Sequence, residues 1–426
     1  MTKTVFVFIS VLISTVFTVQ AQQHYHALFL GNSYTAYNNL PQLVSDLAIG
    51  NGDTLSYEMN VPGGFTLQGH STNATTLDLI SAGSWDYVVL QEQSQRPSFP
   101  IEQVEVEVFP FAEFLDSIIS EANLCAETVF YMTWGRKFGD AINCPVWPPV
   151  CTYEGMDSLL RECYITMAND NEAIVSPVGA VWRYIRTTAP WLELYSPDQS
   201  HPSQAGSFAA ACAFYTVMFR KDPTLTPFEY VLDPLTVETI KNAAKAVVYD
   251  SLDYWNVGTF DPVADFTANL DATGVVSIEN LSSNASSYYW DMGDGTTYAE
   301  AEPIHTYETS GTYAIQLIAE QCGRFDTIET DLIVNITTNL VSVKNSLGVE
   351  VYPIADQGGL FIKNPAGLNL LIAVTDIKGR EVYIENNSFN KLSGVNPISL
   401  PAPGWYSISM IYEGATIAHC TVIINE

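Results

Sequence analysis

The sequence predicts an α/β domain with a parallel sheet, followed by two small all-β sandwich domains. Three observations predict this. From His26 to about Trp255, short apolar runs alternate with longer mixed segments, as in a parallel sheet covered on both faces. After Asp261 the text changes to short runs of period 2 separated by Gly, Asn and Asp turns. The length of 426 residues exceeds one ordinary domain, so two or three are expected.

Taken in order, residues 1–21 are expected to be a signal peptide. Lys3 supplies the positive end, "VFVFISVLISTVFTV" the apolar core, and "VQA" ending at Ala21 the small-residue cleavage site. The α/β domain is expected over 22–260. "YHALFLG" is its first strand and "LPQLVSDLAIGNG" an amphipathic helix with a glycine stop, with Asn39 as a possible N-cap. "TLSYEMNVPGG" and "WDYVVLQEQS" are strands two and three, and "VEVFPFAEFLDSIISEAN" is a helix. "ETVFYMTWG" and "AIVSPVG" are strands four and five, with helical "SLLRECYITMANDN" between them. "SQAGSFAAACAFYTVMF" is a small-residue helix able to lie close on a sheet. One sandwich is expected over 261–336, and a second all-β domain over 337–426. "TTNLVSVKN" is the expected linker between the sandwiches.

The charge balance excludes one class of function. Lys+Arg number 17 and Asp+Glu 47, a net charge of −30 that repels phosphate backbones, so no nucleic-acid partner is expected. Beyond the first segment no run reaches the ~18 apolar residues of a membrane-spanning helix. The chain is therefore not expected to span a membrane after signal cleavage. Seven cysteines in an exported chain make disulfides plausible. "CPVWPPVC" places Cys144 and Cys151 at the ends of a Pro-rich loop that a bridge would close. Pairing of the others is open, and the odd count leaves at least one free thiol.

The residues that can carry chemistry are few. "FLGNSYT" leaves the first strand through Gly-Asn-Ser, which sets Ser33 at the carboxyl edge of the sheet, where sites form in such folds. A serine nucleophile needs a base, and of six histidines only His70 and His201 lie inside the α/β region away from its first strand. His201 follows Asp198 in "SPDQSHP", a spacing that lets a carboxylate orient one ring nitrogen while the other faces a hydroxyl. His70, in "QGHST", is expected at the surface, or else at the mouth of a pocket.

These segments together resemble the SGNH (GDSL-like) hydrolase superfamily. "LGNSYT", "VPGGFTL", "WDYVVLQEQSQRP" and "SPDQSHP" resemble four of its blocks, in the right order, over roughly residues 26–220. The resemblance implies a flavodoxin-like three-layer fold and a serine esterase. Ser33 would be the nucleophile, His201 the general base and then acid, and Asp198 its orienting partner. The oxyanion hole would combine the N–H groups of Ser33 and Gly64 with a side chain of the third block. There the family's asparagine is replaced by glutamine; Gln93 aligns best and Gln91 is the runner-up. The first block reads G-N-S where G-D-S is commoner, and Asn32 can still hold the turn. Glu92 is expected to support its loop. Trp134 and Arg136, after strand four, are candidate substrate contacts, with Trp134 or Trp147 able to stack on a sugar ring. No metal and no cofactor are implied.

In the tail, "YYWDMGDGTTYAEAEPIHTYETSGTYAIQLIA" resembles a PKD-type β-sandwich. Asp291 and Asp294 are read there as turn residues rather than calcium ligands. "VEVYPIAD" and "VTDIKGREVY" resemble the C-terminal sorting domain of type IX secretion cargo, although the P-N-P core is absent. That resemblance implies the type IX machinery as a partner, and a secreted or surface location on a Gram-negative cell. The expected function is a secreted esterase acting on a carbohydrate or other small ester, with O-acetyl groups on a polysaccharide favoured. The alternative is a non-catalytic extracellular glycan-binding or adhesive protein on a hydrolase-like scaffold.

Overall fold

Five short strands, β1 (His24–Leu30), β2 (Thr54–Asn60), β3 (Tyr87–Leu90), β4 (Glu127–Tyr131) and β5 (Ile174–Ser176), form a parallel sheet in the order β2-β1-β3-β4-β5 in the computed structural model. This is the flavodoxin-like order of a doubly wound sheet. The structure describes residues 22–336 apart from 272, and the strand segments between 343 and 424. The expected signal peptide and most of the expected linker lie outside the described residues. Every residue of β3 is buried, so both faces of the sheet centre are covered.

The covering helices are α1 (Ser33–Ala36), α2 (Leu40–Gly50), α3 (Leu67–His70), α4 (Ala74–Ser81), α5 (Ile101–Glu107), α6 (Phe109–Ala122), α7 (Tyr153–Asp170), α8 (Val178–Thr188), α9 (Gln204–Phe219) and α10 (Pro234–Val247). They fall into two packed groups, α2 with α8, α9 and α10, and α3 through α7. Helix α2 buries Leu40, Leu43, Val44, Leu47 and Ala48, one apolar stripe at helical spacing. Asn39 occupies its N-cap position, but in a left-handed conformation and without a side-chain capping bond. The stretch expected as one helix over 106–123 is broken at Val108. Pro110 has no N–H and crowds the carbonyl four residues earlier, so a new helix starts there. Helix α9 has no polar face: Ala205 through Phe219 are all buried. A Cβ on its Gly206 would lie 2.3 Å from the Leu194 carbonyl oxygen and 2.5 Å from the Trp182 ring. Only glycine lets the helix start approach the segment leading into "SPDQSHP".

The chain divides into two compact units. The first runs to Pro262 and includes Glu320–Phe325; the second holds Val263–Ala319 and Asp326–Glu426. In the first unit Cys144 is bonded to Cys151, and Cys125 to Cys322, a pair that spacing alone left open. Cys163 and Cys212 are buried free thiols, pushed above the ordinary range by burial.

Strands β6 (Phe266–Leu270), β7 (Val275–Asn280), β8 (Ser287–Asp291), β9 (Thr297–Tyr298), β10 (Ile304–Thr306), β11 (Gly311–Gln321) and β12 (Arg324–Val334) follow, in the second unit apart from Glu320–Phe325. They form two sheets, β10-β7-β6 and β12-β11-β8-β9, around Trp290, Met292, Tyr307, Ile315 and Leu317. Asp291 and Asp294 each accept a backbone N–H two residues on, from Gly293 and Thr296, which makes them turn residues. The later strands form two four-stranded antiparallel sheets. "VTDIKGREVY" folds there as a hairpin whose turn is held by Asp376, which accepts from the backbone N–H groups of Lys378 and Arg380.

Candidate active site

Strand β1 ends at Leu30, paired with Asn60 on one side and Leu90 on the other. The three segments that follow these residues therefore leave the sheet at one level. This is also where the strand order reverses, between β1 and β3.

The turn after β1 is built by its neighbours. A Cβ on Gly31 would meet Thr35 Oγ1 at 2.6 Å and Gln91 Oε1 at 2.7 Å, so glycine is required. The Asn32 N–H donates to Gln91 Oε1 (3.0 Å), and the Asn32 side chain accepts from the Tyr34 N–H (3.1 Å) as the N-cap of α1. Its Nδ2 donates to the Phe65 carbonyl (2.9 Å), which ties in the loop after β2. Ser33 is thus the first residue of a one-turn helix, where a backbone N–H has no intrahelical partner. In the β2 loop Gly64 adopts φ +69°, a left-handed conformation that favours glycine.

The segment after β3 separates the two glutamines. Gln91 is fully buried. Its Oε1 also accepts from Thr35 Oγ1 (2.9 Å) and its Nε2 donates to the Glu92 carbonyl (2.6 Å). The oxygen of that amide holds the turn after β1, and its nitrogen is tied to Gln91's own segment. Gln93 is half-buried; its Oε1 accepts from the Gln95 N–H (2.8 Å) and its Nε2 donates to Gln95 Oε1 (3.2 Å). Glu92 is also fully buried and accepts from the N–H groups of Leu67 and Gln93. Burial pushes its carboxyl up to about 7, against the opposing pull of those two N–H groups.

The fourth segment, Ser196–Ser203, is a pinned loop. The Ser196 N–H donates to the His201 carbonyl (2.8 Å), and Tyr195 bridges Pro202. Asp198 Oδ1 accepts from the N–H groups of Ser200 and His201, each at 3.0 Å, and its Oδ2 lies 2.5 Å from His201 Nδ1. Slight burial would raise the Asp198 carboxyl. The bonds from the His201 ring and the two N–H groups outweigh it and hold the carboxyl below the usual range. His201 Nε2 then stands 2.8 Å from Ser33 Oγ, across 168 positions of sequence. With an Nδ1–H donated to Asp198, Nε2 is left to accept the Ser33 hydroxyl proton.

Aromatic rings fix this arrangement. Trp134, Tyr34 and Trp182 are stacked, with Trp134 in the middle, 4.9 Å from Tyr34 and 3.8 Å from Trp182. Trp134 Nε1 donates to the Ser200 carbonyl, and Tyr34 OH bonds Ser200 Oγ at 2.6 Å. Tyr37 lies flat on the His201 ring at 4.4 Å and is 39% exposed. None of the tyrosines stands out in the sequence; Tyr34 and Tyr37 follow Ser33 by one and four positions, which is the available signal.

Two expectations are corrected. Trp134 is wholly buried between two rings, so its face is closed to a sugar, and its work is to hold the His201 loop. His70 is buried rather than exposed. It bridges the Gly31 carbonyl (2.9 Å) and Thr76 Oγ1 (2.8 Å), and burial lowers its pKa. Arg136 is half-buried, with Nη1 3.5 Å from Asp140. Trp147 donates to the Ser98 carbonyl (2.9 Å). Among the described residues no cluster of three or more His, Cys, Asp or Glu stands ready to hold a metal, and no helix is long and apolar enough to cross a membrane.

Comparison with known proteins gives the following. Residues 260–334 match the PKD domain family. A stretch of 34 residues is 50% identical to part of collagenase ColQ1 of Bacillus cereus (strain Q1), covering 8% of this chain and 4% of that protein's length. Among solved structures, a DUF4886 family protein from Bacteroides uniformis is 16% identical, over 54% of this chain and 95% of its own, at a TM-score of 0.47. A putative SGNH hydrolase from Slackia heliotrinireducens is 27% identical, over 45% and 97%, at 0.39. The PKD1 domain of the Vibrio cholerae metalloprotease PrtV is 34% identical, over 18% and 98%, at 0.17.

Proposed function

We propose that the chain is a secreted serine esterase of the SGNH type that removes acyl groups, O-acetyl groups on carbohydrate above all, through an acyl-enzyme. One observation carries the reading. A serine hydroxyl, an imidazole and a carboxylate stand in line, at 2.8 Å and 2.5 Å, at the carboxyl edge of a parallel sheet. A binding protein has no use for that relay.

In this reading Ser33 Oγ attacks the ester carbonyl carbon while His201 Nε2 takes its proton, and Asp198 holds the imidazole and the charge it acquires. The carbonyl oxygen becomes an oxyanion, held by the N–H groups of Ser33 and Gly64 and the amide of Gln93. Gln93 is preferred to Gln91 because Gln91 is fully buried with its Nε2 held at 2.6 Å by the Glu92 carbonyl, whereas Gln93 is half-buried and its Nε2 makes only a 3.2 Å bond to Gln95 Oε1. The carbon–oxygen bond to the alcohol then breaks, and His201 returns its proton to the leaving oxygen. Water, deprotonated by His201, releases the acid and restores Ser33. No step calls on a metal or cofactor.

The same reading places the protein outside the cell, by way of residues 1–21 and sorting by the type IX machinery through 337–426. A PKD domain over 260–334 is in keeping with an extracellular protein. The test is acetate release from p-nitrophenyl acetate and from a panel of acetylated polysaccharides, by the full chain and by its Ser33→Ala variant. Release by the parent alone supports the esterase; equal background from two folded proteins overturns it.

A further inference from the structure

The segment that carries Asp198 and His201 has a second face. Lys137, Arg186 and the run Pro190–Tyr195 line an open pocket of about 240 Å³. The pocket is tied to the Asp198–His201 loop. The Lys137 N–H donates to the Gln199 carbonyl (3.0 Å), Ser203 Oγ donates to the Glu193 carbonyl (2.9 Å), and Tyr195 bridges Pro202. Its lining differs from an apolar ligand cavity. Trp191 is 57% exposed, although tryptophan ordinarily buries most of its ring. Lys137 Nζ pairs with the Glu193 carboxylate. The Arg186 guanidinium lies over the Tyr153 ring at 3.9 Å and within 5.4 Å of the Tyr195 ring.

We infer that this pocket is a subsite for a neutral sugar ring of the polymer whose ester reaches Ser33. The inference rests on the esterase reading for its purpose, though not for its chemistry. A pyranose has an apolar face of C–H groups and an equator of hydroxyls. An uncovered indole accepts the first. A cation and a carboxylate side by side suit the second, since each hydroxyl of a vicinal pair both donates and accepts. A free anion is disfavoured, because Glu193 already occupies Lys137 and the Arg186 guanidinium is taken up by the faces of Tyr153 and Tyr195. The volume lies below the ~300–1,000 Å³ of sites for drug-sized ligands, and so suits a single ring. Trp191 thereby takes the place the sequence offered to Trp134.

The test measures binding, so that its outcome is separate from that of the esterase reading. The full chain with Ser33→Ala is titrated calorimetrically with neutral xylo-, manno- and cello-oligosaccharides and with a uronic-acid oligomer, with and without Trp191→Ala. The expected result is binding of one neutral oligomer, weakened about tenfold or more by Trp191→Ala and largely kept by Trp191→Phe. Equal affinity with and without Trp191→Ala, no binding of any neutral oligomer, or preference for the uronic-acid oligomer would each overturn the subsite. Circular dichroism verifies that the Trp191 variants keep the fold. Hydrolysis of p-nitrophenyl acetate by the parent reports on the esterase reading alone.

Discussion

Among the described residues stand two aspartate–histidine pairs, one in each compact unit. In the α/β unit His201 Nδ1 meets Asp198 Oδ2 at 2.5 Å, and the pair is partly open, with 25% and 46% of the two side chains exposed. In the second unit His305 Nε2 meets Asp294 Oδ2 at 3.0 Å, with His305 buried. The chemistry of the pairs is the same, and what stands on the far side of each ring differs. His201 Nε2 faces Ser33 Oγ at the edge of a parallel sheet, whereas His305 Nδ1 faces Tyr298 OH at 3.2 Å inside a sandwich, with its ring against Tyr307. A carboxylate beside an imidazole is thus a common way to satisfy a buried or pinned histidine. It becomes a relay only when the second nitrogen is left to an accessible hydroxyl.

The sharpest way to break this comparison is to treat both pairs alike. Ser33→Ala or His201→Ala is expected to lower kcat on p-nitrophenyl acetate by at least about 10⁴-fold, and His305→Ala to leave it unchanged. Loss of activity in His305→Ala would mean that the pairs are not different in kind. Asp198→Asn, which removes the acceptor that fixes the ring tautomer, is expected to cost about 10⁴-fold in kcat. Next comes the proposed oxyanion donor. Gln93→Ala is expected to lower kcat by about 10²–10³ with little change in KM, measured by steady-state kinetics. A larger effect on thermal stability than on kcat would give Gln93 a role in its loop alone.

The smaller effects are on stability. His305→Ala removes two partly buried hydrogen bonds and should destabilise the second unit by about 1–3 kcal/mol, read from its unfolding transition. Glu92 has the opposite sign from Asp198. Its folded-state carboxyl is raised to about 7, so the native protein holds a proton that the unfolded chain releases near 4.5. The stability it contributes is complete below about 4.5 and is lost as pH rises toward 7. Urea midpoints of the parent should therefore fall across that window relative to Glu92→Gln; parallel profiles would show that the carboxyl is ionised throughout.

Much of this was legible from residue order. Alternation of apolar runs with helices gives a parallel sheet because a strand buried on both faces must be apolar throughout, as β3 is. Gly-Asn-Ser after a strand was readable because a sharp exit needs glycine and a side-chain cap, and Gly31 and Asn32 supply both. Asp198 and His201 were readable because three positions separate them on one loop. The break at Val108 was also written in the text, as Pro110, but an apolar period running through a proline masks it. Trp134 was misread because exposure is not local. A tryptophan after a strand has the same sequence signature whether its ring faces a groove or is sandwiched between Tyr34 and Trp182.

The sequence by itself determined the parts: the strand exits, the acid–base spacing, the change of style near residue 261, the charge of −30 and the two ends of the Pro-rich loop. These follow from local rules of backbone, period and composition, which act over a few residues. Tertiary structure alone decided which parts meet. It set Ser33 against His201 across 168 positions, joined Cys125 to Cys322, gave the buried amide of Gln91 to the turn and left Gln93 beside it, closed Trp134 and opened Trp191. Those outcomes depend on packing between segments far apart in the chain, where contact is fixed by the shape of the whole sheet and its helices rather than by any neighbour in sequence.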